Sequence, residues 1–532
     1  MLAPALASGA TIVFDHAGGY YESSFKLKIF TRQEGAAIYY TTNGDTPNPR
    51  TATRYGQTVP VSGTTIVRAA AFADGKPFGE VATRTFLFPS SLIRQTGAGW
   101  PEVWGTNGGQ LIPAHYTLSV NGRVASTPEL LERLRAIPTL SIVTDSANLF
   151  SSGTGIYLHP TERGEKWERA ASLEFLDPQG RAGFQINCGL RIHGGMSRRP
   201  EESPKHSFRL AFKRQYGPAK LRVPLFGADG PQEFDDLILR AGSNDSWLTS
   251  DGSQRGQATY LRDEWMRRSM DALGHRSARG IFVHLYLNGL YWGLYNLCES
   301  PGAQMLGPGA KNPESDILKG AETESGDRVA WDEMMALADS GLSDERRFQE
   351  ISRQLDLPQF MDYILLNLYA GNADWDRSAN WYAIRPRTVA GRFSFHVWDA
   401  EAILGHAEIK TLDTDDESPL SLFHQLAENT RFRAEFAQRV ERLFAGPLAA
   451  EAAAQRFRSL ADSIAKAMPL EAARWGSYRR DLHQYKTEPY ECYTVESHWQ
   501  PEVNRISTRY FLQRQEALLH QLRERGISLP ER

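Results

Sequence analysis

The sequence predicts a multidomain protein in which a small antiparallel β-sandwich is followed by an α+β region with a helical C-terminal part. Three observations lead there. The chain has 532 residues against a usual domain of ~150, so one core does not suffice. Ile38 to Leu87 alternates short β-rich runs with polar turn clusters, the pattern of a sandwich. From Pro138 onward strand-like runs come first and helical periodicity follows, which is the order of an α+β domain. The boundaries read from these shifts are a sandwich over 1–90, a connector over 91–137, and the α+β region over 138–532, helical from about 405.

Composition narrows the function classes. Hydrophobic residues make up 41% and charged residues 23%, the proportions of a globular chain. Sixty Lys plus Arg against 63 Asp plus Glu leave −3, without the basic excess that nucleic-acid binding favours, so no nucleic-acid partner is expected. No apolar run reaches the ~20 residues of a membrane span. Cys188, Cys298 and Cys492 are far apart and odd in number, which reads as buried thiols rather than a disulfide framework or metal knuckle. Met1 to Ala10 is apolar but lacks the basic stretch of a secretory leader. Because strand-like sequence starts at Thr11, a trimmed or late-started exported precursor is the expectation.

In the first region the strands are Ile38–Thr42, Val59–Val61, Thr64–Phe72 and Val81–Leu87, with Asn43-Gly44 suiting a turn at positive φ. The connector closes with a short helix capped by Ser126 or Thr127, with Pro128 in its first turn. Strands follow at Leu140–Val143, Ala171–Phe175, Leu190–Ile192 and Ser207–Phe212, and Asn288-Gly289 makes Ile281–Leu297 a hairpin. Apolar residues at three- and four-residue spacing mark helices over Leu261–Leu273, Val329–Leu337, Leu357–Tyr369, much of Leu420–Ile464, and Tyr510–Arg525.

Four segments concentrate polar groups beside these elements. The turn His193-Gly194-Gly195-Met196-Ser197 followed by Lys205 and Arg209 offers backbone N–H groups and positive charge to phosphates, although no Walker loop is present. Glu299, ending the hairpin, is placed to pair with Lys205 as in the kinase Lys–Glu pair. The loop after the Leu357 helix carries Asp374, Asp376 and Asn380, an acid with an Asn about six residues on. In Phe395 to Glu401 two acids interrupt an apolar strand, and side chains two apart on a strand share a face, so Asp399 and Glu401 converge for a hard cation such as Mg2+.

Two families resemble parts of this chain. Ile38–Pro47 (IYYTTNGDTP), Tyr55 before Val59-Pro60-Val61, Thr64–Phe72 and Thr83–Phe86 resemble the small β-sandwich appended to chitobiases and β-hexosaminidases, which implies a spacer with carbohydrate as a candidate contact. Residues from about 138 to 405 resemble the spore-coat-protein-H (CotH) kinase family, in the branch found in large bacterial surface proteins. The matching segments are PTLSIVTD, GIYLHPTERGEKWER, GLRIHGGMSRR with PKHSFRLAF, LRDEW, LYLNGLYWGLYNLCE, GNADWD with NWYAIRPR, and VWDAE.

The CotH resemblance implies an atypical protein-kinase-like fold that transfers the γ-phosphoryl of ATP, with Mg2+, to protein hydroxyls at the cell surface or outside the cell. By that resemblance Lys205 contacts the phosphates, Asp374 is the catalytic acid with Asp376 its rival, Asn380 and Asp399 hold the metal, and Glu401 assists. The family's usual R-G-N-S-S reads His193 to Ser197 here, which removes a cation from the nucleotide side; Arg191, Arg198 or Arg209 are the candidates to replace it. The alternative reading is a catalytically retired kinase-like surface or matrix scaffold. Glycoside hydrolysis ranks last, because no pair of acids at a defined separation is legible.

Overall fold

A computed structural model describes residues 11–529 apart from 108, 119–126, 182, 308, 321, 376–379, 413–418 and 483–490. An N-terminal β module is followed by a mixed α+β region with a helical C-terminal part. In the module, a five-stranded sheet built on Thr65–Ala73 and Lys76–Leu87 faces two two-stranded ribbons. Leu27, Val61, Val67, Ala71 and Phe86 fill the space between.

Among the described residues, seven strands then close into a barrel: β1 (Thr139–Thr144), β2 (Arg169–Leu176), β3 (Phe184–His193), β4 (Ser207–Ala211), β5 (Asp236–Arg240), β6 (Gly280–Leu287) and β7 (Leu290–Glu299). Alternation explains the closure. Ile186, Cys188, Leu190 and Ile192 of β3 point inward with Phe208, Leu210, Leu237 and Leu239, while Arg191 and His193 take the outer face. The β6–β7 turn has Asn288 at φ 45° and Gly289 at φ 83°, as a two-residue hairpin requires. A parallel pairing of β1 with β6 (Thr139 opposite His284) seals the barrel. This closure is not legible from the individual strand patterns, because register between distant strands sets it.

A four-stranded sheet, β8 (Ser315–Lys319), β9 (Glu322–Ser325), β10 (Trp381–Pro386) and β11 (Ser394–Val397), lies against the outside of the barrel in the order β9-β8-β10-β11. Ile238 and Cys298 of the barrel pack there on Ile317, Tyr382, Ile384 and Trp398. All three cysteines are free, and Cys188 and Cys298 are buried. The helix Leu357–Ala370 is buried on nearly every side, as an all-round apolar helix must be. Asp356 caps its start and Gly371, at φ 61°, ends it. Helices Thr430–Phe444, Ala450–Ile464 and Phe511–Glu524 surround it in one core. Among the described residues no helix is long and apolar enough to cross a membrane.

The β module meets the barrel through buried polar contacts. Tyr20 OH and Thr139 Oγ1 share a hydrogen bond of 2.7 Å, and Thr85 Oγ1 and Ser141 Oγ one of 2.8 Å. Arg68 donates to Asp145 at 2.9 Å, and Thr85 N donates to Glu174 at 2.7 Å. Burial pushes the Glu174 carboxyl up from 4.5 to about 7, against the pull of Arg84 and Thr85. A carboxyl raised on folding binds more protons in the folded state between those values, so its cost is absent below pH 4.5 and full above pH 7. Glu174→Gln is therefore expected to remove a fall in stability of about 3 kcal/mol between pH 4.5 and 7. The measurement is the difference in thermal midpoint between variant and parent across that range, and a constant difference would remove the buried ionisation at this junction.

Candidate active site

Arg240, the last residue of β5, is the hub of a buried charge cluster. Its Nη2 donates to Asp399 and, at 2.6 Å, to Glu401 Oε1. Its Nε lies 3.2 Å from Asp263 Oδ2, and the guanidinium sits 4.8 Å over the Trp398 ring. Asp263 stands in the first turn of the helix Arg262–Ala272, accepts from Arg267 at 2.9 Å and from Ala400 N at 3.0 Å. Burial pushes the Asp263 carboxyl up, but Arg240 and Arg267 outweigh it and bring the group below its ordinary value. Glu401 Oε2 accepts from Asn244 N at 2.8 Å. Burial, and after it the neighbouring Asp399 and Asp263, raise Glu401 to about 8 in spite of Arg240. The Asp399 side chain alone of these acids stays open, at 43% exposure.

Asp399 and Glu401 meet, but not by strand alternation. β11 ends at Val397, and Asp399 sits at φ 59° in the following loop. The expectation of two acids on one extended strand is corrected accordingly: a shared guanidinium gathers them. The Asp374 loop arrives at the same place. Asn380 directly precedes β10 and Asp399 follows β11 at the same end of that antiparallel pair. Ala373 N donates to Ala402 O at 3.1 Å, and Leu404 N to Ala370 O at 2.8 Å. Within the loop Asn380 Nδ2 donates to Asp374 O at 2.8 Å. Asp376 lies outside the described residues. Seven non-glycine residues among those described have positive φ, and five of them, Ser243, Tyr260, Asn380, Asp399 and Leu404, belong to the loops around Arg240. Backbone strain concentrates at functional sites.

Lys205 is placed differently from the expectation. Its side chain is 0% exposed, and Nζ donates to Glu471 Oε1 and Leu294 O, each at 2.6 Å. It lies over the rings of Tyr295 and Tyr260, at 4.8 and 5.4 Å. The pairing of Lys205 with Glu299 is overturned: the partner is Glu471, on the helix Met468–Trp475, whose other oxygen accepts from Leu294 N at 2.7 Å. Glu299 is buried at the end of β7, where burial raises it to about 7 against Arg279. Between the Lys205 pair and the Arg240 cluster lies a cavity of about 20 Å3, lined among others by Tyr260, Tyr295, Arg240 and Glu401. That holds about one water molecule.

The Gly-rich turn is held by Arg198, which donates to the carbonyls of Gly194, Pro160, Glu162 and Ile192. Its charge is committed to backbone, so Arg198 is not a free replacement cation. Gly194 has φ 117°, and a Cβ there would stand 2.4 Å from Ser197 Oγ, which requires glycine. Arg209 pairs with Asp236 at 2.7 Å, and Arg191 lies directly opposite it on β3.

Residues 190–518 match the family described as CotH kinase protein, over more than half of the chain. The chain belongs to the CotH kinase family. Residues 16–83 match the chitobiase/β-hexosaminidase C-terminal domain, so a module of that kind precedes the CotH domain. A comparison with curated proteins returns no match. Membership points to a kinase-like phosphotransferase that uses ATP.

A CotH domain acting on ATP implies a divalent cation, and the residues present can be tested for one. Among the described residues no three His, Cys, Asp or Glu side chains form a metal cage. Both oxygens of Glu401 are taken, by Arg240 and Asn244. Asp399 is half-exposed, with only Oδ1 paired to Arg240, and Asn380 is committed through its Nδ2 alone. One carboxylate with an amide oxygen fits Mg2+, which keeps its waters and takes phosphate oxygens rather than an all-protein cage. Arg240, Asp263 and Glu471 went unread at the sequence level. Asp263 stood within the LRDEW segment, whereas Glu471 lies 266 residues from its partner Lys205.

Proposed function

We propose that this CotH protein transfers the γ-phosphoryl group of ATP to Ser or Thr hydroxyls of surface or extracellular proteins. The observation that carries the reading is the meeting of the Asp374 and Asp399 loops at one end of β10 and β11, inside a CotH domain. Asp399 and Asn380 are the residues that would hold Mg2+, which when bound neutralises charge on the phosphate oxygens. Asp374 accepts the proton of the attacking hydroxyl and orients it, the role a carboxylate on a helix-anchored loop can fill. Arg240 holds Asp399 and Glu401 together, which fixes the half-exposed Asp399 carboxylate in place without reorganisation.

The test is incorporation of label from γ-labelled ATP into the protein itself or an added Ser/Thr peptide. Asn tolerates left-handed backbone, so Asp399→Asn should keep the fold and lower incorporation by ~100-fold or more. Full activity in that variant would end the metal role of Asp399. A second reading, a retired surface or matrix scaffold whose β module contacts carbohydrate, draws on the sealed Lys205–Glu471 pair. Absence of heat on titrating millimolar ATP with Mg2+ into the full chain favours the scaffold.

A further inference from the structure

The sealed Lys205 leaves the phosphates of a nucleotide without the cation expected to meet them, and the outer face of the barrel carries others. Arg191 and Arg209 are direct cross-strand partners, and His193 stands two residues on, opposite Ser207. Like charges opposite one another on neighbouring strands are destabilising. Their inward neighbours Leu190, Ile192, Phe208 and Leu210 occupy the barrel core, so this row faces outward. The next residue across, Ile238 opposite Arg209, is covered by the β8–β11 sheet, and the row therefore borders that sheet.

From the other side comes Lys319, the last residue of β8. It is paired with Tyr382 in register, and its Nζ lies 5.9 Å from that ring. Tyr382 packs edge-on against Trp398 at 6.3 Å, the ring on which Arg240 rests. The row and Lys319 thus flank the loop of Asp399. Burial, and then the positive charges of Lys319, Arg240, Arg209 and Arg198, keep His193 well below its ordinary pKa. Opposing acids are few. Asp236 pairs with Arg209, and Glu324 lies near Arg209 and Tyr382. Glu165, near Arg191, is itself held by Lys213 at 2.8 Å. Among the described residues Arg191, His193 and Lys319 have no ion-pair partner, and all three are half-buried rather than sealed.

We propose that Arg191, His193, Arg209 and Lys319 form the seat for a polyphosphate, the triphosphate of the nucleotide, in place of Lys205. The inference rests on the phosphotransfer reading for the identity of the ligand, but the seat can be tested without turnover. A phosphorylated acceptor segment carries the same chemistry, and the experiment separates the two sources.

The full chain is titrated calorimetrically, at low salt and without divalent cation, with inorganic tripolyphosphate, with ATP and with a phosphoserine peptide. Tripolyphosphate and ATP should bind competitively, at least ~10-fold more weakly to Arg191→Ala/Lys319→Ala. Lys319→Gln alone, with an unchanged thermal midpoint, should give an intermediate loss and guards against a folding effect in the double variant. Unchanged affinity in both variants, or no tripolyphosphate binding by the parent, overturns the seat. A phosphoserine peptide that outcompetes ATP overturns the nucleotide assignment. Tripolyphosphate binding in a chain that never turns ATP over upholds the seat and ends only the phosphotransfer reading.

Discussion

Lys205→Met should lower the stability of the chain by about 3–5 kcal/mol in chemical denaturation, because it leaves the fully buried carboxylate of Glu471 without its ammonium partner. The loss is electrostatic and not one of shape: methionine fills much of the space over Tyr260 and Tyr295. Adding Glu471→Leu should therefore recover most of the stability, since a buried ion pair replaced by apolar groups of similar size is often neutral. The double variant also separates two roles. A Lys205 that only locks the helix Met468–Trp475 onto the barrel predicts retained ATP binding in Lys205→Met/Glu471→Leu. A Lys205 that contacts phosphate predicts a folded protein that has lost it. A double variant no more stable than Lys205→Met would contradict the paired burial described above.

Arg240→Met is expected to cost a similar ~3–5 kcal/mol, and here the cost depends on pH. Asp263 keeps Arg267, at 2.9 Å, but Glu401 loses its one ionic partner while remaining buried. Burial already raises Glu401 to about 8 with Arg240 present, and without the guanidinium the protonated form is favoured further. A carboxyl raised above its unfolded value of 4.5 destabilises only where it must ionise, so the variant should lie closer to the parent at pH 5 than at pH 9. Glu401→Gln in the same background should reduce the pH dependence, and the coupling energy between the two sites is read from the double-mutant cycle. Thermal midpoints of parent and variants that differ equally at pH 5 and pH 9 would show that the charge on Glu401 does not enter.

The two largest effects fall on the Lys205–Glu471 pair and on Arg240; the sequence points to Lys205 as a phosphate contact, but Glu471 and Arg240 are not read there as ion-pair partners. Asp399 and Glu401 were legible because two acids in an apolar stretch need an explanation. The guanidinium that supplies it sits 161 residues away from Glu401. Lys205 was legible as a cation beside a Gly-rich turn, but nothing local separates a lysine that opens into a cleft from one that closes onto a distant helix. Asn380 shows the same limit: its spacing from Asp374 is written in the chain, whereas its place beside Asp399 depends on the pairing of β10 with β11.

The sequence by itself determined the β module, the strand and helix segments, the Asn288-Gly289 hairpin and the two family resemblances, because periodicity, turn chemistry and motif order act over a few residues at a time. The tertiary structure alone decided that seven strands close into a barrel, that Lys205 pairs with Glu471, and that Arg240 binds the acids of the Asp399 loop. Burial and charge partnership are properties of what surrounds a group in space, and those surroundings come from segments up to hundreds of residues apart.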